Sequence, residues 1–241
     1  MPNGAAMPEA GRDAVTAGVA TICDLAGGGV ADAQLALGQI LLDGVLLPRD
    51  PAAALGWFLA AARQGSAMGC NMVGRCCELG WGMAATPEEA MRWYRRAACA
   101  GLDWGMYNYA TGLTLGWDGP PDHARALAWL RRAAARGHCK SFNIIGGFYE
   151  DGWAVTRDLA QARVWYARAA DGGDFRGHFN LGRFLAAEGR AAQARRHFEI
   201  AGRTATPAFR AKMEQFLAGG GNEAGCAMRF ASAVEGGGSG P

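Results

Sequence analysis

Lysine is nearly missing from this chain of 241 residues: Lys140 and Lys212 are the only two among 24 basic side chains, the others being arginine. Nor is there a charge excess, because 22 acidic residues bring the formal charge to +2. A protein held to nucleic acid by a broad field carries a marked basic surplus, so the balance argues against that class. Serine is scarce, at Ser66, Ser141, Ser232 and Ser239, and none lies in a nucleophile-elbow pattern. Phosphate-cradling Gly-x-x-x-x-Gly-Lys-Ser/Thr loops are missing too. No apolar run reaches the roughly 20 residues of a membrane span. The first residues have no basic stretch leading into an apolar core, so no secretory signal is read and a cytoplasmic location is expected. Seven cysteines are odd in number and too sparse for a disulfide scaffold, which points to reduced thiols.

What is abundant is glycine, 37 residues of it, and much of it is periodic. Gly44, Gly80, Gly116 and Gly152 recur every 36 residues, as do Trp57, Trp93, Trp129 and Trp165. Further columns at the same spacing are Gly65, Gly101, Gly137, Gly173; Ala54, Ala90, Ala126, Ala162; Gly38, Gly74, Ala110, Gly146, Gly182; and Phe58, Tyr94, Leu130, Tyr166. Four full repeats span about 30–173, and a fifth, 174 to about 203, has lost four residues around Glu188–Arg190.

Within each repeat the apolar spacing is helical. Ala90, Trp93, Tyr94, Ala97 and Ala98 share one face of a helix, as do Ala162, Trp165, Tyr166, Ala169 and Ala170. Asp50, Thr86, Asp122 and Asp158 stand where an N-cap acceptor belongs, Pro51 and Pro87 suit the first helical position, and Thr86 with Glu89 has capping-box spacing. Arginines gather toward the ends of these helices, complementing the helix dipole. The first half of each repeat carries apolar pairs four apart, such as Leu37 with Leu41 and Ile145 with Tyr149. A repeat is therefore helix A, loop, helix B, and such units must stack to bury both faces. The fold class is all-α: a right-handed α-solenoid of five helix-loop-helix repeats with capping helices. Its parts are an N-terminal tail and capping helix at 1–29, the repeats at 30–203, a capping helix at 204–218 and a disordered tail at 219–241. In that tail residues 224–234 are apolar enough to dock in a groove until a partner displaces them.

The pattern Ser141, Ile145-Gly146, Tyr149, Gly152, Asp158, Ala162, Trp165-Tyr166, Ala169-Ala170, Gly173 resembles the Sel1-like branch of the tetratricopeptide-repeat superfamily. The third repeat departs from it with Ala110, Leu113 and Leu130, and the fifth in its shortened loop. The resemblance implies a scaffold for protein partners, with A helices lining a concave side, and no enzyme. A secreted, cysteine-rich branch staples neighbouring repeats and has been proposed to hydrolyse cell-wall or β-lactam-like substrates, which is the alternative function. The pairing of that branch would set Cys99 against Met106 and Cys70 against Ala62 or Arg63, so neither bond is complete here.

Candidate chemistry is thin. Cys70, Cys76 and Cys77 lie close in sequence but lack a Cys-x-x-Cys or a nearby histidine, and they read as core thiols rather than metal ligands. His123, His138 and His178 fall near helix starts or turns, and His197 falls in the tryptophan column, which reads as core. No catalytic residue, metal or cofactor is expected. By analogy with tetratricopeptide grooves, the A-helix positions pointing away from the core columns form the candidate partner-binding face: Met68, Trp104, Lys140 and Arg176; Asn71, Tyr107, Asn143 and Phe179; Arg75 and Arg183; Glu78, Thr114 and Glu150. Asparagine there would bond a peptide backbone, and arginine or lysine would clamp a carboxylate. The expected partner is a protein or peptide, bound by a monomer, without nucleic acid or membrane.

Overall fold

The computed structural model describes residues 9–219, so most of the tail at 219–241, including residues 224–234, lies outside the described residues. Twelve α-helices and no strand occur among the described residues. They are α1 (Glu9–Gly27), α2 (Ala31–Asp43), α3 (Pro51–Arg63), α4 (Ala67–Leu79), α5 (Pro87–Cys99), α6 (Asp103–Leu115), α7 (His123–Ala135), α8 (Cys139–Asp151), α9 (Leu159–Asp171), α10 (Phe175–Ala187), α11 (Ala191–Thr204) and α12 (Pro207–Ala218). The chain forms two compact units, up to Ala100 and from Gly101, a division that falls within the repeat span 30–203.

Local chemistry sets most of the helix ends. Asp50, Asp122 and Asp158 accept hydrogen bonds from the backbone N–H groups of Ala53, Arg125 and Gln161 at 2.9–3.0 Å. Thr86 makes no such cap, and Glu89 pairs with Arg92 at 2.9 Å instead, so the capping box expected at the start of α5 does not form. Helices A in the first four repeats stop at Gly44, Gly80, Gly116 and Gly152 with φ of 70–76°, a backbone state glycine enters without strain.

In the first unit α1 packs on α2, α2 on α3, α3 on α4 and α4 on α5. Each A–B pair closes on one steric device. A Cβ at Gly74 would lie 2.7 Å from the Tyr94 ring, and Gly38 is as tightly set against Phe58. The missing side chain on helix A makes room for the ring on helix B, whose full burial contributes about 2–3 kcal/mol. Ala26, Ala33 and Leu37 form a further cluster that ties α1 to α2.

The second unit repeats the device at Gly146 with Tyr166 and at Gly182 with Phe198, each at 2.7 Å. The third repeat carries Ala110 and Leu130, both fully buried: a methyl is added on one helix where a ring is lost on the other. The A helix of one repeat meets the B helix of the one before it through small residues, as where Gly177 lies against the backbone of Ala170. At the C-terminal end Phe209 and Met213 of α12 join Phe179 and Ala201 in an aromatic-rich cluster.

The tryptophan column is not core. Trp57, Trp93, Trp129 and Trp165 are half-buried, while the residue after each is fully buried. A step of one residue turns a helix by about 100°, which moves the indole to the rim of the buried stripe. Arg96, Arg132 and Arg168 cover Trp93, Trp129 and Trp165 at 4.6–4.7 Å, so these arginines stack on aromatic faces besides standing near helix ends.

Candidate functional site

In the first unit the candidate face is only partly open. Met68, Arg75 and Glu78 are half-buried and Asn71 is buried. Arg75 lies over Trp81 at 4.9 Å, and the Tyr94 hydroxyl donates to Glu78 Oε2. Burial holds the Glu78 carboxyl above the usual carboxylate range, and its Oε1 has no hydrogen-bond partner.

Two arrangements stand out in the second unit. The first joins Trp104 and Tyr107 on α6 to His138 and Lys140 at the start of α8. The His138 ring lies 4.7 Å from Trp104 and 4.8 Å from Tyr107, and Lys140 Nζ sits 4.4 Å over the Trp104 ring. Trp104, Tyr107 and Lys140 are half-buried, whereas His138 is 6% exposed. His138 Nδ1 bonds Ser141 Oγ at 2.9 Å, and burial pushes the imidazole down to about 4, against a weaker upward pull from Asp103. It is therefore neutral at pH 7. A partly exposed aromatic pair capped by an ammonium group offers apolar contact and a positive charge side by side.

The second arrangement is a polar relay. Asn180 donates to Asn143 Oδ1 at 2.8 Å, Arg183 donates to Asn180 Oδ1 at 2.9 Å and to Glu150 Oε1 at 2.7 Å, and the Tyr166 hydroxyl donates to Glu150 Oε2 at 2.6 Å. It links α8, α9 and α10 and ends at a cleft of about 920 Å³, where Glu150 and Arg183 meet Leu159, Arg163, Phe184, Phe198, Phe216 and Leu217.

Several expected surface residues turn inward. Asn143 and Phe179 are 1% exposed, Asn71 3%, and Thr114 and Arg176 5%. Phe179 packs on Phe209 and Phe216 in the C-terminal cluster. Arg176 pairs with buried Asp174 at 3.6 Å and lies over the Phe175 ring, and the Thr114 hydroxyl donates to the Ala110 carbonyl. For Asn143 the physical reason is lateral packing: α8 contacts α10 directly, so its amide meets Asn180 of the next A helix rather than solvent. Sequence reasoning missed His138 as part of the aromatic cluster, Asn180 as a relay member, and the apolar walls of the cleft.

The cysteines form no site. Cys76 is fully buried, and burial pushes its thiol up to about 12. Burial also raises Cys70, Cys77 and Cys139. All six described cysteines are free, and no cluster of three metal-ligating side chains occurs among the described residues.

The Sel1 repeat family model matches four segments, 31–66, 67–102, 104–138 and 145–174, together more than half of the chain. The chain belongs to the Sel1 repeat family. The matched segments follow the helix pairs α2–α3, α4–α5, α6–α7 and α8–α9, the last from within α8, while the pair α10–α11 extends the series beyond them. Among solved structures, a Sel1 repeat protein from Oxalobacter formigenes is similar at 23% identity over 88% of each chain, with a TM-score of 0.71. The protective antigen c5321 of uropathogenic Escherichia coli, described as displaying an SLR fold, is 23% identical, with a TM-score of 0.66. That match covers 91% of this chain and 49% of that one. The immunity protein Pa5087 of Pseudomonas aeruginosa is 16% identical over 86% and 81% of the two chains, with a TM-score of 0.55. At these identities the likeness is one of fold, the all-α helical-repeat solenoid. No curated protein matches the sequence. No helix among the described residues is long and apolar enough to cross a membrane.

Proposed function

We propose that this Sel1 repeat chain is a non-catalytic scaffold that binds a partner polypeptide through the A-helix side chains of its repeats. Sel1 repeats support a repeat scaffold, commonly one for protein interaction. The observation that carries the reading is the half-exposed pair Trp104 and Tyr107 with Lys140 over the indole. Such a surface takes an apolar side chain beside a carboxylate, and binding would release water held on the rings. In this reading the chain acts as a monomer in the cytoplasm and uses no cofactor, metal, nucleic acid or membrane.

The test is affinity capture with the double variant Trp104→Ala, Lys140→Glu. Partners recovered by the unaltered chain should fall at least tenfold, with unchanged helicity by circular dichroism. Unaltered recovery would remove the cluster from the binding face. The hydrolase alternative rests on the resemblance to the cysteine-rich branch, and turnover of a chromogenic β-lactam or cell-wall substrate would replace the scaffold reading.

A further inference from the structure

Two of the loops between helices A and B do a second job in this fold. In the first unit Gly82, between α4 and α5, lies so near the start of α3 that a Cβ there would collide with the Pro51 carbonyl. In the second unit Trp153, between α8 and α9, stacks on His123, the first residue of α7, at 4.4 Å with 8° between the rings. Each loop thus seals the start of the B helix one repeat earlier.

The fifth repeat has lost that seal. Only Glu188-Gly189-Arg190 joins α10 to α11, with no aromatic residue among them. The start of α9 is correspondingly open: Leu159 is 45% exposed, and the cleft of about 920 Å³ lies beside it. Its lining also includes Phe216 and Leu217, at the end of α12.

The sequence beyond α12 contains a stretch composed like the missing loop. The sealing loops read Trp81-Gly82-Met83-Ala84-Ala85 and Trp153-Ala154-Val155, an aromatic residue followed by small and apolar ones. Residues 230–234 read Phe230-Ala231-Ser232-Ala233-Val234. We propose that residues 224–234 of this chain occupy the cleft, with Phe230 set against the start of α9 as Trp153 is set against the start of α7. Charge agrees: Glu223 and Glu235 flank the segment and Arg229 lies within it, while the cleft is lined by Arg157, by Arg163 and by the Glu188 that pairs with Arg163 at 3.8 Å. Thirteen residue steps separate Leu217 from Phe230. They reach up to roughly 45 Å when extended, ample for a cleft walled by Leu217 itself. The tether holds the segment at an effective concentration of about millimolar, so a modest apolar contact suffices for occupancy. This inference is independent of the scaffold reading.

The test uses the full chain carrying a photocrosslinker, Leu159→benzoylphenylalanine, with the product mapped by mass spectrometry. Crosslinks within single chains should fall in residues 224–234, and their yield should drop at least fivefold with Phe230→Asp. Crosslinks only between two chains, crosslinks elsewhere, no crosslink, or a yield indifferent to Phe230→Asp would each overturn the proposal. The same probe at exposed Arg163 repeats the measurement should the first variant fail to fold.

Discussion

Glu78 with Tyr94 in the first unit and Glu150 with Tyr166 in the second are the same construction two periods apart, yet their surroundings differ. Both carboxylates accept the hydroxyl of the buried tyrosine on helix B. Glu150 also receives Arg183 at 2.7 Å, and both side chains of that ion pair are about 15% exposed. Glu78 Oε1 receives nothing. One buried charge is compensated and the other is tolerated at a cost, which shows how a repeat keeps its packing while letting its polar partners vary.

Of the substitutions at these two carboxylates, removing the cation should produce the largest effect. Arg183→Met takes the guanidinium away from Glu150, leaving the Tyr166 hydroxyl on the carboxylate, and is expected to destabilise the second unit by about 2–3 kcal/mol in urea denaturation. Glu150→Gln should cost less, about 1–2 kcal/mol. Glu78→Gln should be neutral or stabilise the first unit by up to about 1 kcal/mol, since it removes a burdened charge and keeps an acceptor for Tyr94. Equal losses from the two glutamine variants would erase the distinction.

Acid sharpens the contrast further. All four histidines lie in the second unit. His138 has a folded value of about 4 against an ordinary 6.5, so the unfolded chain takes up its proton first. The stability it permits is complete above 6.5 and is lost progressively as pH falls from 6.5 to about 4, on the order of 3 kcal/mol in all. Burial lowers His178 and His197 in the same direction, and these two bond one another through their Nδ1 atoms at 2.9 Å. Glu78 behaves oppositely. Its folded value is raised, so its stability contribution is fullest at low pH, fades as pH rises through that value, and returns on acidification. Hydrogen exchange at pH 7 and pH 5 should show protection falling in α8, α10 and α11 and holding in α4 and α5. His138→Gln should flatten the response of α8, and uniform loss across both units would contradict the assignment.

A smaller effect is expected from the glycine–ring device. Gly38→Ala should cost about 2 kcal/mol through collision with Phe58, and adding Phe58→Leu should recover part of it, copying Ala110 with Leu130. Thermal denaturation of the single and double variants measures the coupling. Purely additive losses would mean that the third repeat is not a compensated pair.

The 36-residue period by itself determined the helix pairs, most of their caps and the buried stripe apart from the tryptophan column, which lies at its rim. It could do so because capping, helical spacing and the glycine–ring contact act within one repeat, between positions a fixed distance apart. The open face was less legible. Trp104, Tyr107 and Lys140 do come together, but Asn143 and Phe179 point inward onto side chains of later helices, and Arg176 turns onto Asp174 and Phe175, partners whose identity changes from repeat to repeat. Only the tertiary structure decided which carboxylate gained an arginine, that His138 joined the aromatic cluster, and that a loop short by four residues left α9 uncovered. Each depends on which side chains meet across helices, and burial then fixes how much a missing partner costs.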